Sequence, residues 1–201
     1  MATARHLTRA GRPCPAGSRR TPGGRGGGLC DAEPVSDTSV RSHEESIVVL
    51  APAQAVYDVV SDVPRTGEWS PVCRSCRWDD EATAGQVGAW FTGRNEWADR
   101  VWETRSQVAV ADRGREFAWV VGGTLVRWGF RLAPADRGTS LTESWEFLPA
   151  GIARFRERHG DRADEHILDR TRQALDGIPK TLAAIKRIVE GGGRGDRQPG
   201  P

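Results

Sequence analysis

No stretch of this 201-residue chain approaches the ~18 consecutive apolar residues that a membrane-spanning helix needs, so no membrane span is expected. The local signatures of familiar chemistry are missing as well. There is no G-x-S-x-G elbow, no phosphate-cradling G-x-x-x-x-G-K-[ST] loop and no H-E-x-x-H zinc motif. Residues 23–28 are glycine-rich, but no strand precedes them and no helix follows, so they cannot cradle a phosphate. Cysteine is scarce, with four in all. Cys14 and Cys30 fall in a loose N-terminal stretch, while Cys73 and Cys76 form a Cys-x-x-Cys pair. Three residues apart in a strand, two side chains point to opposite faces, so without a turn neither a metal nor a disulfide joins them. A thioredoxin-like pair would open a helix, whereas this one leads into Arg77-Trp78. Free thiols in a reducing compartment are expected, with no metal site and no cofactor.

Charge is nearly balanced, at a formal +2, but unevenly spread. Residues 1–41 hold seven arginines against three acids, whereas residues 42–190 hold 20 basic against 23 acidic side chains. The folded part therefore has no electrostatic reason to bind nucleic acid. Residues 1–41 are rich in Arg, Gly and Pro and poor in large apolar side chains, so burial cannot offset the entropy of ordering them. A disordered tail is expected there, and a second over 191–201. Arg19-Arg20 is followed by no apolar h-region, which argues against an export signal. A cytoplasmic location is expected, and composition leaves the oligomeric state open.

What the chain does have is tryptophan: all eight lie between Trp69 and Trp145. Such density marks either a thick aromatic core or the wall of an apolar pocket. A β-branched run at residues 46–50 reads as a first strand, and Val56, Tyr57, Val59, Val60 and Val63 recur at helical spacing. That spacing predicts a helix over 53–62, opened by Pro52 and stopped by Pro64. Strands are predicted at 72–79, 87–97, 101–111, 116–122, 124–133 and 139–148, close enough together to be antiparallel neighbours. Ile152 to Arg158 could add a turn or two of helix. Leu168, Leu175, Leu182 and Val189 then recur at sevens with Ile178 and Ile185 between them, predicting one long helix with a kink at Pro179. His159 and His166, seven apart, could share one side of a helix, as a metal site or as a solvated polar face.

A sheet that is apolar on one face must be covered, and the C-terminal helix is the obvious cover. Alternation along the strands assigns the inner face. Phe117, Trp119 and Val121 align in one strand; Val126, Trp128, Phe130 and Leu132 in the next; Leu141, Glu143, Trp145 and Phe147 in the last. Glu143 thus falls among aromatics, where an unpaired carboxylate is unfavourable and its pKa rises. It is either a cavity acid that orients or protonates a ligand carbonyl, or a carboxylate paired to a nearby arginine, or the sign of an inverted register. Asn95 shares a face with Phe91, Gly93 and Trp97, and is either a ligand-binding amide or an amide bridging two strands.

Several stretches together carry a family likeness. They are residues 47–64, Glu68-Trp69-Ser70-Pro71, Phe91-Thr92-Gly93-Arg94-Asn95, and the segment Gly138-Thr139-Ser140-Leu141-Thr142-Glu143-Ser144-Trp145-Glu146. In that order and spacing, residues 42–190 resemble the START-like, helix-grip superfamily, in the polyketide cyclase/dehydrase and lipid-transport branch often labelled SRPBCC. The resemblance implies an α+β fold, a curved antiparallel sheet wrapped around a long kinked C-terminal helix. It also implies a cavity for lipids, polyketides, sterols or quinone-like molecules, without implying one reaction. The expected lining is Trp102, Phe117, Trp119, Trp128, Phe130 and Trp145 from the sheet and Leu175, Ile178 and Leu182 from the helix, with Asn95 and Glu143 orienting the ligand. Three functions fit: binding of an apolar small molecule, polyketide cyclisation or dehydration with Glu143 as the acid, and a cavity-free interaction module whose tryptophans are solid core.

Overall fold

The computed structural model describes residues 41–192. Seven antiparallel strands form one sheet in the order β1-β7-β6-β5-β4-β3-β2. The strands are β1 (Ser42–Val49), β2 (Cys73–Trp78), β3 (Trp90–Trp97), β4 (Arg100–Asp112), β5 (Glu116–Val121), β6 (Val126–Pro134) and β7 (Thr139–Phe147). Helix α1 (Ala53–Val60) and a 3₁₀ turn (Val63–Glu68) link β1 to β2, and α2 (Pro149–His159) and α3 (Ala163–Gly192) close the chain. β1 pairs with β7 along its whole length and forms one edge of the sheet, while β2 forms the other.

Each predicted strand is present, with ends displaced by three residues or fewer except at β1, which starts at Ser42 rather than at residue 46. The tight turns follow the local chemistry. At the β6–β7 turn Gly138 has φ +86°, and a Cβ there would run into the carbonyl of Val49, so only glycine lets this turn pack against the end of β1. The expected tails lie outside the described residues, apart from Arg41 and from residues 191–192, which extend α3 beyond the predicted end at residue 190.

The long helix runs unbroken from Ala163 through Pro179. Its buried face comprises Ile167, Thr171, Ala174, Ile178, Leu182 and Ile185. Leu168 and Leu175 are only half-buried, and neither belongs to the core cluster. Of the leucines spaced by seven, Leu182 falls on the buried stripe, whereas Leu168 and Leu175 fall beside it. Small and β-branched residues (Thr171, Ala174, Gly177, Thr181) share this buried face and permit close packing; a Cβ at Gly177 would meet Pro71. Beyond the core, the Lys186 ammonium donates to the Val48 carbonyl at 2.5 Å, and the Leu50 N–H donates to the Glu190 carboxylate at 2.8 Å, tying the end of α3 to β1.

The shifted stripe predicts unequal costs for two similar truncations. Ile178→Ala should cost about 2–5 kcal/mol in urea denaturation, whereas Leu175→Ala, outside the core, should cost less than about 1 kcal/mol.

Candidate functional site

The inner face is built from rows of residues that lie opposite one another across the sheet. One row runs Val108, Trp119, Trp128, Trp145 and His43 from β4 to β1. The next runs Phe117, Phe130, Glu143 and Glu45 from β5 to β1. The predicted face assignments hold, so Glu143 lies on the apolar side with Leu141, Trp145 and Phe147.

Within this face the rings touch. Trp78 meets Phe91 edge-on at 5.6 Å, Phe91 meets Trp119 at 6.2 Å, and Trp119 meets Phe130 at 5.9 Å. Trp69, carried in from the turn after α1, meets Phe130 edge-on at 5.5 Å. Phe117 packs on both Trp119 and Tyr57, at 6.0 and 6.4 Å. Phe117, Phe130, Trp145, Ile178 and Leu182 are buried in the core, while Trp119 and Trp128 are half-buried against it. Two surface clefts, each of about 440 Å³, lie elsewhere. The first is lined by outward-facing polar residues that include Glu44, Arg127, Arg131 and Glu146, together with Trp145; the second lies at the ends of β1 and β6, beside Pro52 and Gly138.

Two polar atoms break the apolar pattern. Among the described residues, the buried side-chain nitrogen and oxygen atoms without a hydrogen-bond partner are Trp69 Nε1 and Glu143 Oε2. Both residues neighbour Phe130, Trp69 by ring contact and Glu143 as its partner across the β6–β7 ladder. Glu143 is 3 % exposed, and no arginine pairs with it. Burial, with the carboxylate of Glu45 opposite on β1 adding to it, raises its pKa well above the usual carboxylate value. Its surroundings thus favour the protonated carboxyl, which can both donate and accept, over the anion. Neither the arginine-paired reading nor the inverted register applies.

The other expected site residues divide. The amide nitrogen of Asn95 is engaged inside the protein, donating to the Thr104 hydroxyl at 3.1 Å and to the Gly93 carbonyl at 3.2 Å, so Asn95 bridges β3 and β4. Trp102 stands away from the aromatic cluster. The guanidinium of Arg170 on α3 lies 4.8 Å from its ring centroid, with that of Arg100 at 5.8 Å. Arg100 is paired with Asp169 at 3.0 Å, and Gln173 donates to Asp169 and accepts from Arg170, closing a polar network over Trp102. Burial and the neighbouring Arg100 pull the pKa of Arg170 down. Leu175 lies on the flank of α3, outside the core cluster. Trp69, Glu45 and Arg170 were not singled out from sequence. For Trp69 the cue was the Trp69-Ser70-Pro71 turn after a helix, whereas nothing local marks Glu45 or Arg170.

Two further expectations are corrected. Cys73 and Cys76 do not point to opposite faces: a β-bulge between Cys73 and Ser75 turns both sulfurs to the same side, 3.2 Å apart. His159 and His166 do not share a helix, since one ends α2 and the other belongs to α3; their rings stack with centroids 4.0 Å apart. No cluster of three or more potential metal ligands occurs among the described residues.

With this geometry in place, the comparisons with known proteins are decisive for the family. The family described as "Polyketide cyclase / dehydrase and lipid transport" matches residues 41–182, and the chain belongs to it. A Polyketide_cyc-like protein, Cgl2372 from Corynebacterium glutamicum, is 48 % identical, with a TM-score of 0.58, over 78 % of this chain and 96 % of that one. The Zhui aromatase/cyclase from Streptomyces sp. R1128 is 20 % identical, with a TM-score of 0.60, over 78 % of this chain and 98 % of that one, and shows the same fold. A search of curated protein sequences gives no match. No helix among the described residues is long and apolar enough to cross a membrane.

The buried acid makes a definite prediction about pH. Its folded-state pKa lies above its unfolded value, so its contribution to stability is fully present below the unfolded pKa. It is lost as pH rises toward the folded value, because only the unfolded chain can ionise it readily. Glu143→Gln should therefore be more stable than the parent, and the difference in denaturant midpoint should widen between pH 5 and pH 8.

Proposed function

We propose that the domain binds a hydrophobic small molecule, such as a lipid or polyketide, between the inner face of the sheet and α3. The observation that carries this reading is the pair of unpartnered polar atoms beside Phe130, a buried carboxyl oxygen and an indole N–H inside an otherwise aromatic interior. Buried polar groups are nearly always hydrogen-bonded. A ligand with a carbonyl or hydroxyl oxygen would satisfy them both, while its apolar body replaced ring-to-ring contacts. Entry requires the rings to part, and the half-buried Trp119 and Trp128 are the side chains with room to move. Affinity would then come from apolar burial and stacking, and orientation from Glu143 and Trp69.

A second reading follows from the same acid. A neutral Glu143 could protonate the carbonyl of a bound poly-β-ketone, as a cyclase or dehydratase requires. The aromatase/cyclase among the structural neighbours supports this at the level of fold alone. The two readings differ in what Glu143→Gln does: a binder keeps its ligand with altered affinity, whereas a cyclase keeps its ligand and loses turnover.

The first test is native mass spectrometry of the full chain as purified, with organic extraction of whatever is bound, alongside titration with the apolar probe 1-anilino-8-naphthalenesulfonate. A discrete apolar mass, or saturable probe binding, is the expected result. Trp128→Ala should then weaken binding by roughly 5- to 30-fold, as loss of an aromatic anchor does, with little change in stability. Loss of stability and binding in equal measure would mark Trp128 as core. A chain that neither carries an apolar mass nor binds the probe would make the tryptophans solid core and the domain an interaction module.

A further inference from the structure

The Cys73–Cys76 pair lies at the edge-strand end of the interior, with Cys73 buried and Cys76 packed against the core, and neither the binding reading nor the family match uses it. β2 is an edge strand with a single neighbour, β3. Its ladder breaks between Cys73, opposite Asn95, and Ser75, opposite Arg94, which leaves Arg74 as the extra residue of a bulge. The strand after the bulge is out of phase with the strand before it. Cys73 and Cys76 therefore share the inner side, with their sulfurs 3.2 Å apart.

Three features hold this arrangement. The Ser70 hydroxyl accepts from the N–H groups of Val72 and Cys73, at 3.2 and 2.9 Å, and so fixes the start of the strand. The bulged carbonyl of Arg74 packs onto Gly67 of the preceding 3₁₀ turn, where a Cβ would collide with it. Across the ladder stands Gly93, where a Cβ would lie 3.1 Å from Cys76 Sγ and 3.4 Å from Cys73 Sγ. A side chain at residue 93 would crowd the pair, so the missing one leaves both sulfurs their space. The two thiols also differ. Cys73 is buried, and its hydrogen bond with Cys76, followed by burial, pushes its pKa up. Cys76 is partly exposed, and hydrogen bonds from Cys73 and Thr66 pull its pKa down against the effect of burial.

We propose that Cys73 and Cys76 are a reversible thiol–disulfide site, oxidised by a low-molecular-weight disulfide, with Cys76 attacking and Cys73 resolving. The Cys76 thiolate attacks one sulfur of the disulfide RSSR, forming Cys76–S–S–R and releasing RS⁻. The Cys73 thiol then loses its proton, and its sulfur attacks Cys76 Sγ, forming the Cys73–Cys76 bond and expelling the second RS⁻. The two protein thiols give up two electrons and two protons, and one RSSR becomes two RSH. The bulge already brings the sulfurs close to bonding distance, so closure needs only a short side-chain movement.

The experiment uses the full chain carrying Cys14→Ser and Cys30→Ser, so that only this pair reports. The reduced protein is exposed to excess oxidised glutathione, quenched in denaturant with N-ethylmaleimide, and digested with trypsin, which cuts after Arg74 and Arg77. The expected product is residues 66–74 joined to residues 75–77, lighter by about 2 Da than the two reduced peptides and separated again by dithiothreitol. Cys73→Ser should stop at a stable glutathione adduct on Cys76. Cys76→Ser should react at least roughly tenfold more slowly, because the remaining thiol is the buried one, out of reach of the incoming disulfide. Both thiols remaining free to alkylate after prolonged exposure would overturn the proposal. So would a glutathione adduct that persists on Cys76 while Cys73 is intact, and faster reaction through Cys73 would overturn the assigned order of attack.

Discussion

A curved sheet that is apolar on one side has to be covered, and the rest of this structure depends on how one helix does it. The sheet turns most of its aromatic side chains to one face, and α3 packs with them in a single core. Each fully buried Ile, Leu or Phe contributes on the order of 1.5–3 kcal/mol, so Phe117, Phe130, Leu141, Ile178 and Ile185 together are the principal gain of folding. Close approach requires small residues on the helix wherever the sheet offers rings. Thr171, Ala174, Gly177 and Thr181 accordingly occupy part of the buried stripe, while Leu168 and Leu175 lie on its flank. The ties from Lys186 and Glu190 then fasten the C-terminal end of the helix to β1 and the residue after it.

Against that apolar background, the few polar atoms inside acquire meaning. A carboxyl group in the row Phe117–Phe130–Glu143–Glu45 is unfavourable as an anion, and burial with Glu45 opposite raises its pKa. Trp69 reaches the same ring from the opposite layer with its N–H unpartnered. By contrast Asn95, the amide that looked best placed for a ligand, spends its donors on strand pairing. The polarity that distinguishes this interior is therefore concentrated beside one phenylalanine. The arginine network over Trp102 belongs to a separate region between β4 and α3.

Period-two alternation was legible wherever a ladder ran without interruption. It placed Trp119, Trp128, Glu143 and Trp145 on the correct face because successive side chains of a strand must point to opposite sides. It failed at Cys73 and Cys76, since a bulge adds one residue to one strand and reverses the phase beyond it. The cause lies in distant partners, the packing of Arg74 on Gly67 and the space left by Gly93, and no local composition announces it. Helical periodicity located α3 and its buried Ile178, Leu182 and Ile185, but extended the stripe to Leu168 and Leu175, because leucine content marks an apolar surface without saying how near the neighbouring layer will come.

The amino-acid sequence by itself determined the α+β class, the strand and turn pattern, the covering helix and the inward position of Glu143. Each of these follows from local chemistry: alternation, turn residues, helix stops and the requirement that an apolar face be buried. Only the tertiary structure decided that the tryptophan and phenylalanine rings touch rather than stand apart, that Glu143 finds Glu45 and Phe130 instead of an arginine, and that two cysteines three residues apart meet. Those outcomes depend on the register between strands far apart in the chain and on the distance between layers, which pairwise packing sets and local spacing does not encode.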